Sequence, residues 1–516
     1  MLSQSTRRLI TTRLADEVGR IDKDAPLRVA LTYPSPYSVG MSSLGFQSIY
    51  REIQAMPGVV ADRVFLPDDA DKSGVCETPH SYERLLPLTE YPVIAVSVAY
   101  ELELAGLVQM LDAARIAPLA ADRTEREPFI LAGGPLTFSN PMPLGPFVDA
   151  IVIGEAEGLA EWCLSVIFGA PSRQAALREL ADHPHVFVPV IHGSDLKPVA
   201  KCADELLPAT SVIRTPHTEL SNMFLIETER GCSRGCKYCV MRRTTNGGMR
   251  VVSQERILSL IPPDAPKVGL VGAAVSDHPR IVEIVDSLAE QGKRVGLSSL
   301  RPDRLKLPFV AALRRAGYKT LTTALDGISE RMREMIERRG REPHYRIAAE
   351  NARAVGMDRL KLYLMLGLPG ETDADIDEGI EFLAELSKQI PVALGIAPFC
   401  AKRKTPLDGQ PFAGIDVVDQ RLDRLRRGLR GRVDVRSTSA KWAWVEYVLA
   451  QGDFDEGKAL LEAVRAGGRF SDYRKAFGKL GYSTKGEQAP RLETQPWLDP
   501  PRKSQRGLAV LPTIGG

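Results

Sequence analysis

Two series of short apolar runs, separated by stretches of helical periodicity, constrain this chain more than any other feature. The first series is LRVALTY (27–33), RVFLP (63–67), VIAVSVAY (93–100), PFILAGG (128–134) and AIVIG (150–154), with helical stretches at 44–53 and 104–114 between them. Continuous apolar runs alternating with helices are the pattern of parallel strands covered on both faces, and predict a doubly wound, Rossmann-like α/β domain over residues 25–195. The second series is MFLIETE (223–229), KVGLVGA (267–273), RVGLSSL (294–300), TLTTALD (320–326), KLYLMLGLPG (361–370) and VALGIAPF (392–399). Six strands with interleaved helices over 215–435 fit a partial β6/α6 TIM-like barrel better than an eightfold one. A helical C-terminal appendix is expected at 436–480. Residues 481–516, with Pro490, Pro496, Pro500, Pro501 and Pro512 and little periodicity, read as an extended or disordered tail. Residues 1–24 form an N-terminal extension, in which Leu9, Ile10 and Leu14 predict a short amphipathic helix. Its Ser, Thr and Arg content also suits an organelle-targeting peptide, against which Asp16 and Glu17 count.

Charge excludes a global attraction to nucleic acid or acidic lipid, because 67 Lys and Arg are balanced by 65 Asp and Glu. A nucleic-acid role is not excluded but would rest on a local patch such as RLDRLRRGLRGR (421–432), which reads first as a solvated helix face. No apolar run reaches the ~18 residues that span a bilayer, so a soluble, cytoplasmic chain is expected. The seven cysteines are at 76, 163, 202, 232, 236, 239 and 400, and an odd, scattered set is no disulfide framework.

Three of those cysteines share the string ERGCSRGCKYCVMRR, directly after the strand MFLIETE. Thiolates are soft ligands suited to iron-sulfur clusters or zinc, and Gly231 and Gly235 let a loop carrying Cys232, Cys236 and Cys239 turn around such a centre. A closed structural site takes four protein ligands, whereas this loop supplies three. Cys-x3-Cys-x-aromatic-Cys resembles the signature of radical S-adenosylmethionine enzymes. The resemblance implies a 4Fe-4S cluster whose open iron is chelated by S-adenosylmethionine, a 5′-deoxyadenosyl radical as product of its cleavage, and an electron donor such as flavodoxin or ferredoxin. It also implies roles for further positions. Tyr238 would pack on the adenine. Gly272 and Ala273, in LVGAAVSDHP, resemble the second-strand glycine motif that bonds the cofactor's amino group, without the acidic residue often found there. Ser298 and Arg301, in SSLRPDRL with Ser299, would be polar groups at the third strand end. Asp326, in TTALDGISERMREMI, stands at the position that holds the ribose, and Gly367, in LYLMLGLPGET, at the turn against the adenine. Asp277 and His278 read equally as a turn and helix cap, and Cys400 as a buried apolar thiol or one facing substrate.

A doubly wound domain ahead of such a barrel resembles the cobalamin-binding subgroup of that superfamily, and the strings TYPSPYSVGMSSLGFQSIY, LAGGPLTFSNPMPL and FVDAIVIGEAEG resemble an uncharacterised family within it. Ligands of such sheets bind at the carboxyl ends of the strands, so the resemblance implies that Tyr37, Gly40, Ser97, Gly133, Gly134, Gly154 and Glu155 line a cobalamin site. The Asp-x-His-x-x-Gly string that brings a histidine to cobalt in other cobalamin proteins does not occur. The expected activity is methylation of an unactivated carbon by methylcobalamin. Two alternatives stand beside it: an RNA-modifying, methylthiolation-like enzyme without cobalamin, and a non-catalytic iron-sulfur or corrinoid-binding protein.

Overall fold

The computed structural model describes residues 2–68, 76–242, 245–298 and 300–491 and the backbone of 509–510. The chain divides into two compact units, Met1–Phe224 with Gly452–Gly481, and Leu225–Gln451 with Tyr482–Gly516.

In the first unit, β1 (Leu27–Tyr33), β2 (Val59–Phe65), β3 (Val93–Ser97), β4 (Phe129–Gly133), β5 (Ala150–Val152) and β6 (Val186–Phe187) form one sheet in the order 2-1-3-4-5-6. The first five are parallel and β6 is antiparallel to β5. That order is doubly wound, with the chain crossing from β2 back over β1 to reach β3. β2 starts earlier than its apolar run because Asp62 and Arg63 interrupt the pattern, yet every residue of the strand is buried. Each charge has partners inside. Asp62 accepts from Tyr91 Oη at 2.7 Å and pairs with Arg84. Arg63 lies between Glu17 at 2.7 Å and Glu83 at 2.6 Å, and the side chains of Arg63 and Glu17 are both 0% exposed.

Glu17 brings the N-terminal residues into this unit instead of leaving them as an extension. The helix Gln4–Ala15 starts on Ser3, whose hydroxyl accepts from Thr6 N at 3.1 Å, and Glu77 accepts the Ser3 N–H at 2.6 Å. Ile10 is buried, Arg13 donates to Tyr82 Oη at 2.7 Å, and Val18 bridges to Arg214. The expected appendix is divided as well. Helix Ala440–Gln451 belongs to the second unit, whereas Phe454–Arg465 and Phe470–Lys479 belong to the first. Phe454–Arg465 lies on helix Glu103–Ala114 and on the turn Met142–Phe147. Gly457 faces the Pro143 carbonyl so closely that a Cβ would collide with it.

In the second unit, β7 (Met223–Glu227), which the boundary crosses, β8 (Lys267–Val271) and β9 (Arg294–Leu297) make a three-stranded sheet in the order 9-8-7. β10 (Thr320–Asp326), β11 (Arg359–Leu366), β12 (Val392–Pro398) and β13 (Val433–Ser437) make a parallel four-stranded sheet in chain order. All six expected strands form, but they fall in two sheets and a seventh joins them. β13 escapes the apolar pattern because it is an edge strand on which Asp434 and Arg436 alternate with valines and are exposed. The expected tail is fixed at its start: Trp444 Nε1 donates to Ser483 O at 2.8 Å, Ile415 N to Thr484 O at 3.0 Å, and Ala489 N to Tyr447 Oη at 3.1 Å. Ala509–Val510 pairs with Arg250–Val251, while 492–508 and 511–516 lie outside the described residues. Among the described residues no helix is long and apolar enough to cross a membrane.

Removing one partner from a buried ion pair leaves an uncompensated charge, which costs about 3 kcal/mol. Glu17→Ala leaves Arg63 on Glu83 alone and Tyr37 Oη without its acceptor, and is expected to lower the unfolding free energy of the first unit by up to that amount, read as a fall in its urea midpoint. An unchanged midpoint would show that Arg63 does not depend on the N-terminal segment.

Candidate metal centre

The loop of three cysteines starts from a short strand pair, Glu229–Arg230 against Arg250–Val251. Gly231 then turns the chain at φ +83°, with the Gly248 carbonyl where a Cβ would be, so only glycine fits. Cys232 and Cys236 are 8% and 6% exposed, and Cys239 is half-buried. Burial pushes all three thiols up; Cys232 is raised further by Cys236, and Cys239, which reaches about 12, by Cys236 and Cys232. The three thiols thus lie close enough for Cys236 to act on both of the others. Among the described residues no set of three or more His, Cys, Asp or Glu converges on a single ion position. A multi-iron cluster does not need convergence, since each thiolate takes a different iron.

Residues from far along the chain hold this loop. Lys237 N donates to Ile336 O at 3.0 Å and the Cys236 thiol lies 3.9 Å from Glu337 O. Tyr238 Oη donates to Asp326 Oδ2 at 2.7 Å, and the same oxygen pairs with Arg338 Nε at 2.6 Å. Burial works against the charge of Arg338, but Asp326, Tyr238 and Cys236 outweigh it, and Arg338 in turn offsets part of the rise of the Cys236 thiol. Asp326 takes φ +62° where β10 shifts register on β11, and Glu337 and Arg339 take +56° and +59° on either side of Arg338. Non-glycine residues in the left-handed region store strain, and such strain collects at sites that must hold a geometry. The sequence singled out Tyr238 for an adenine and Asp326 for a ribose; in the structure the two bond each other, and Arg338, which it did not single out, joins them.

Asp277 is more than a cap. Its buried carboxylate takes Ser233 at 3.3 Å, Arg234 at 3.2 Å, Arg304 at 3.4 Å and Arg301, binding the cysteine loop to the ends of β8 and β9. Arg301 is therefore already engaged, with Asp277 and with Asp303. Ser298 bonds both backbone groups of Gly272, its Oγ accepting from N at 3.2 Å and donating to O at 2.9 Å, and Ser299 lies outside the described residues. Ala273 is the residue between that bonded glycine and Ala274. Behind this turn stands a residue the motifs missed. Glu229 is 0% exposed, its carboxylate fills the place of a Gly272 Cβ, and it accepts from Ala274 N at 2.8 Å. Burial pushes its carboxyl up to about 8.

Gly367 turns at φ +84°, and Glu371 accepts its N–H at 2.8 Å while pairing with Arg421 at 2.9 Å. Arg424 pairs with Asp377 at 2.6 Å, so two of the basic residues of the 421–432 stretch are matched to acids. His278 is buried on Val252 O at 2.8 Å, and the half-buried Cys400 thiol donates to Ala443 O at 3.1 Å.

The strand-end residues of the first unit are mostly packed into protein. Tyr37 is 0% exposed, stacks on Tyr82 and donates to Glu17 Oε1 at 2.7 Å. A Cβ on Gly40 would meet the Phe65 ring, one on Gly134 the Val98 backbone and one on Gly154 the Ala200 backbone. Glu155 accepts from Cys202 N at 2.9 Å. Ser97, Gly133 and Gly134 remain partly exposed at the ends of β3 and β4. Of the glycines expected to admit a corrinoid's tail, Gly40, Gly134 and Gly154 admit the chain's own backbone and side chains, whereas Gly133 has only Val152 at ordinary contact distance.

Residues 45–189 match the family model for the N-terminal region of radical SAM proteins, and residues 226–383 the model of the radical SAM superfamily. An uncharacterized protein of Methanocaldococcus jannaschii is 26% identical over 396 residues, 74% of this chain and 80% of that protein. The ribosomal protein uS12 methylthiotransferase RimO of Geotalea uraniireducens is 25% identical over 259 residues, 46% of this chain and 56% of that protein. Among solved structures, the cobalamin-dependent S-adenosylmethionine radical enzyme OxsB with aqua-cobalamin bound gives a TM-score of 0.48 at 13% identity, over 70% of this chain and 52% of OxsB. SuiB of Streptococcus suis gives 0.31 at 15% identity, over 43% of this chain and 50% of SuiB. The chain spans about half the length of RimO and of both structures.

The Glu229 carboxyl carries a pH signature. Its folded pKa, about 8, lies above the ordinary 4.5, so the folded state binds the extra proton; the stabilisation is full below 4.5 and is lost as pH rises to about 8. Glu229→Gln lacks this loss, and its melting temperature relative to wild type is expected to climb across that window and level off above it. A parallel pair of pH profiles would place an ionised carboxylate in the folded protein.

Proposed function

We propose, from the premise that this chain belongs to the radical S-adenosylmethionine superfamily, that it binds a 4Fe-4S cluster on Cys232, Cys236 and Cys239 and cleaves S-adenosylmethionine reductively. The observation that carries the reading is the set of three shielded thiols on one loop, with Cys236 acting on the other two. Burial favours their neutral form although Arg234 and Arg338 act the other way, and a cationic cluster would reverse that preference. Cys400, the next cysteine along the chain, is bonded to Ala443 O, so the loop's own set of three leaves one iron for a small molecule.

When bound, the cluster supplies one electron to the sulfonium of S-adenosylmethionine, releasing methionine and a 5′-deoxyadenosyl radical that takes a hydrogen atom from substrate. The protein's part is to hold and orient. Asp326 fixes Tyr238, and with it the loop residue before the third thiolate. Glu371 holds the turn at Gly367. Glu229 sets behind Gly272 the acidic group that the glycine string lacks. A one-electron reductant such as flavodoxin or ferredoxin is the partner this chemistry requires.

Cobalamin-dependent methylation is the second reading, favoured by the doubly wound strand order of the first unit. The packing of Tyr37, Gly40, Gly134 and Gly154 into protein does not fit a corrinoid cradle there, so no step is routed through cobalamin. The RNA-modifying reading gains nothing from the 421–432 stretch, where Arg421 and Arg424 are engaged with acids.

Anaerobic reconstitution of the full chain with iron and sulfide, reduction, and an assay for 5′-deoxyadenosine tests the main reading. Wild type is expected to form both the cluster chromophore and deoxyadenosine, and Cys→Ala at 232, 236 or 239 to lose both. Retained zinc with no deoxyadenosine would overturn it. Hydroxocobalamin added to the same reconstitution decides the second reading: a corrinoid that leaves on gel filtration rejects it, and one that stays, with methyl transfer from labelled S-adenosylmethionine, supports it.

A further inference from the structure

The loop after β12 carries three basic residues in succession, and the chain treats them differently. Lys402 pairs with Glu446 at 2.7 Å and Arg403 donates to Gln451 O at 3.1 Å. Lys404 Nζ is buried and has no hydrogen-bond partner among the described residues. Burial alone acts on it, lowering its pKa to about 8, and no acidic side chain opposes the shift. Its backbone sits at φ +61°, a conformation that strains any residue with a side chain.

Packing alone does not explain a charge that is buried, unpaired and strained, since a buried ammonium without a counter-charge is unfavourable. Its position does. The loop follows the carboxyl end of β12, the strand end at which parallel α/β folds place ligands. The same loop touches the cysteine loop: Leu407 N donates to Lys237 O at 3.3 Å, between Cys236 and Tyr238 in sequence.

We propose that Lys404 is an anion-binding residue of this site, holding a carboxylate or phosphate group of a molecule bound beside the cysteine loop. The class of group follows from the donor, since an ammonium offers three N–H bonds and accepts none. The proposal rests on the reading of this region as the S-adenosylmethionine site, and two molecules could bring the anion: S-adenosylmethionine, through its carboxylate, or an anionic second substrate.

The test uses the full chain, reconstituted anaerobically, as wild type, Lys404→Met and Lys404→Gly. Glycine removes the amine and accepts the positive φ, so this variant keeps the loop if methionine disturbs it. Three probes are titrated: S-adenosylmethionine, methylthioadenosine, which lacks the amino-acid end, and inorganic phosphate against chloride of equal ionic strength. Without ligand, both variants are expected to melt no lower than wild type. With ligand, they are expected to lose about tenfold in affinity for one anionic probe while binding methylthioadenosine normally. Loss on S-adenosylmethionine assigns the anion to its carboxylate; loss on phosphate with S-adenosylmethionine unchanged assigns it to a second substrate. Wild-type affinity for both anionic probes, or equal loss on methylthioadenosine, overturns the proposal. If wild type binds neither adenosyl probe, the proposed function fails, and the phosphate arm still judges Lys404.

Discussion

A buried thiol resists ionisation, and thiols placed in one another's field resist it together. All three of Cys232, Cys236 and Cys239 carry the first burden and Cys232 and Cys239 the second as well, and the surrounding structure holds them in place regardless. Gly231 is pinned against Gly248, Ser233 and Arg234 against Asp277, Lys237 against Ile336, and Tyr238 against Asp326. The anchors come from the ends of several strands, so the position of each cysteine depends on the whole second unit being folded. Arg338 joins the anchoring to the electrostatics: Asp326 keeps it charged, and its charge acts on Cys236. The loop is thus preorganised for thiolate ligands before any cation arrives.

The first unit solves a different problem. Its sheet is buried along β2 despite Asp62 and Arg63, and it succeeds because Glu17, Glu83, Arg84 and Tyr91 converge on those two side chains. Glu17 comes from beyond the N-terminal helix, which makes that helix part of the core chemistry of the domain. The same economy of space governs the strand ends, where Phe65 covers Gly40 and the Val98 and Ala200 backbones cover Gly134 and Gly154. A glycine shows that something approaches closely; it does not say what. At these positions the visitor is the protein itself.

That distinction explains what could be read in advance. Strands with unbroken apolar runs were legible, and so were the cysteines, because their chemistry lies in local spacing. The first half of β2 was hidden by a buried ion-pair network, and β13 by the alternating charges of an edge strand. Helix Phe454–Arg465 looks in sequence like a continuation of Ala440–Gln451, and only the contact of Gly457 with Pro143 reveals that it returns to the first unit. Asp277, Arg338 and Glu229 acquire their roles from neighbours distant in sequence. Asp277 resembles a helix cap, Arg338 one of several arginines in a turn, and Glu229 a polar residue beside a motif.

Charge matching then separates residues that build the site from residues left open in it. Around the cysteines, Arg234 and Arg301 answer Asp277, Arg338 answers Asp326, and Arg421 answers Glu371. Glu229 and Lys404 stand apart, with no opposite charge acting on either among the described residues. Both are shifted towards neutrality, Glu229 up to about 8 and Lys404 down to about 8. Burial is the leading cause of both shifts, since it disfavours the charged form of either group and so raises an acid and lowers a base.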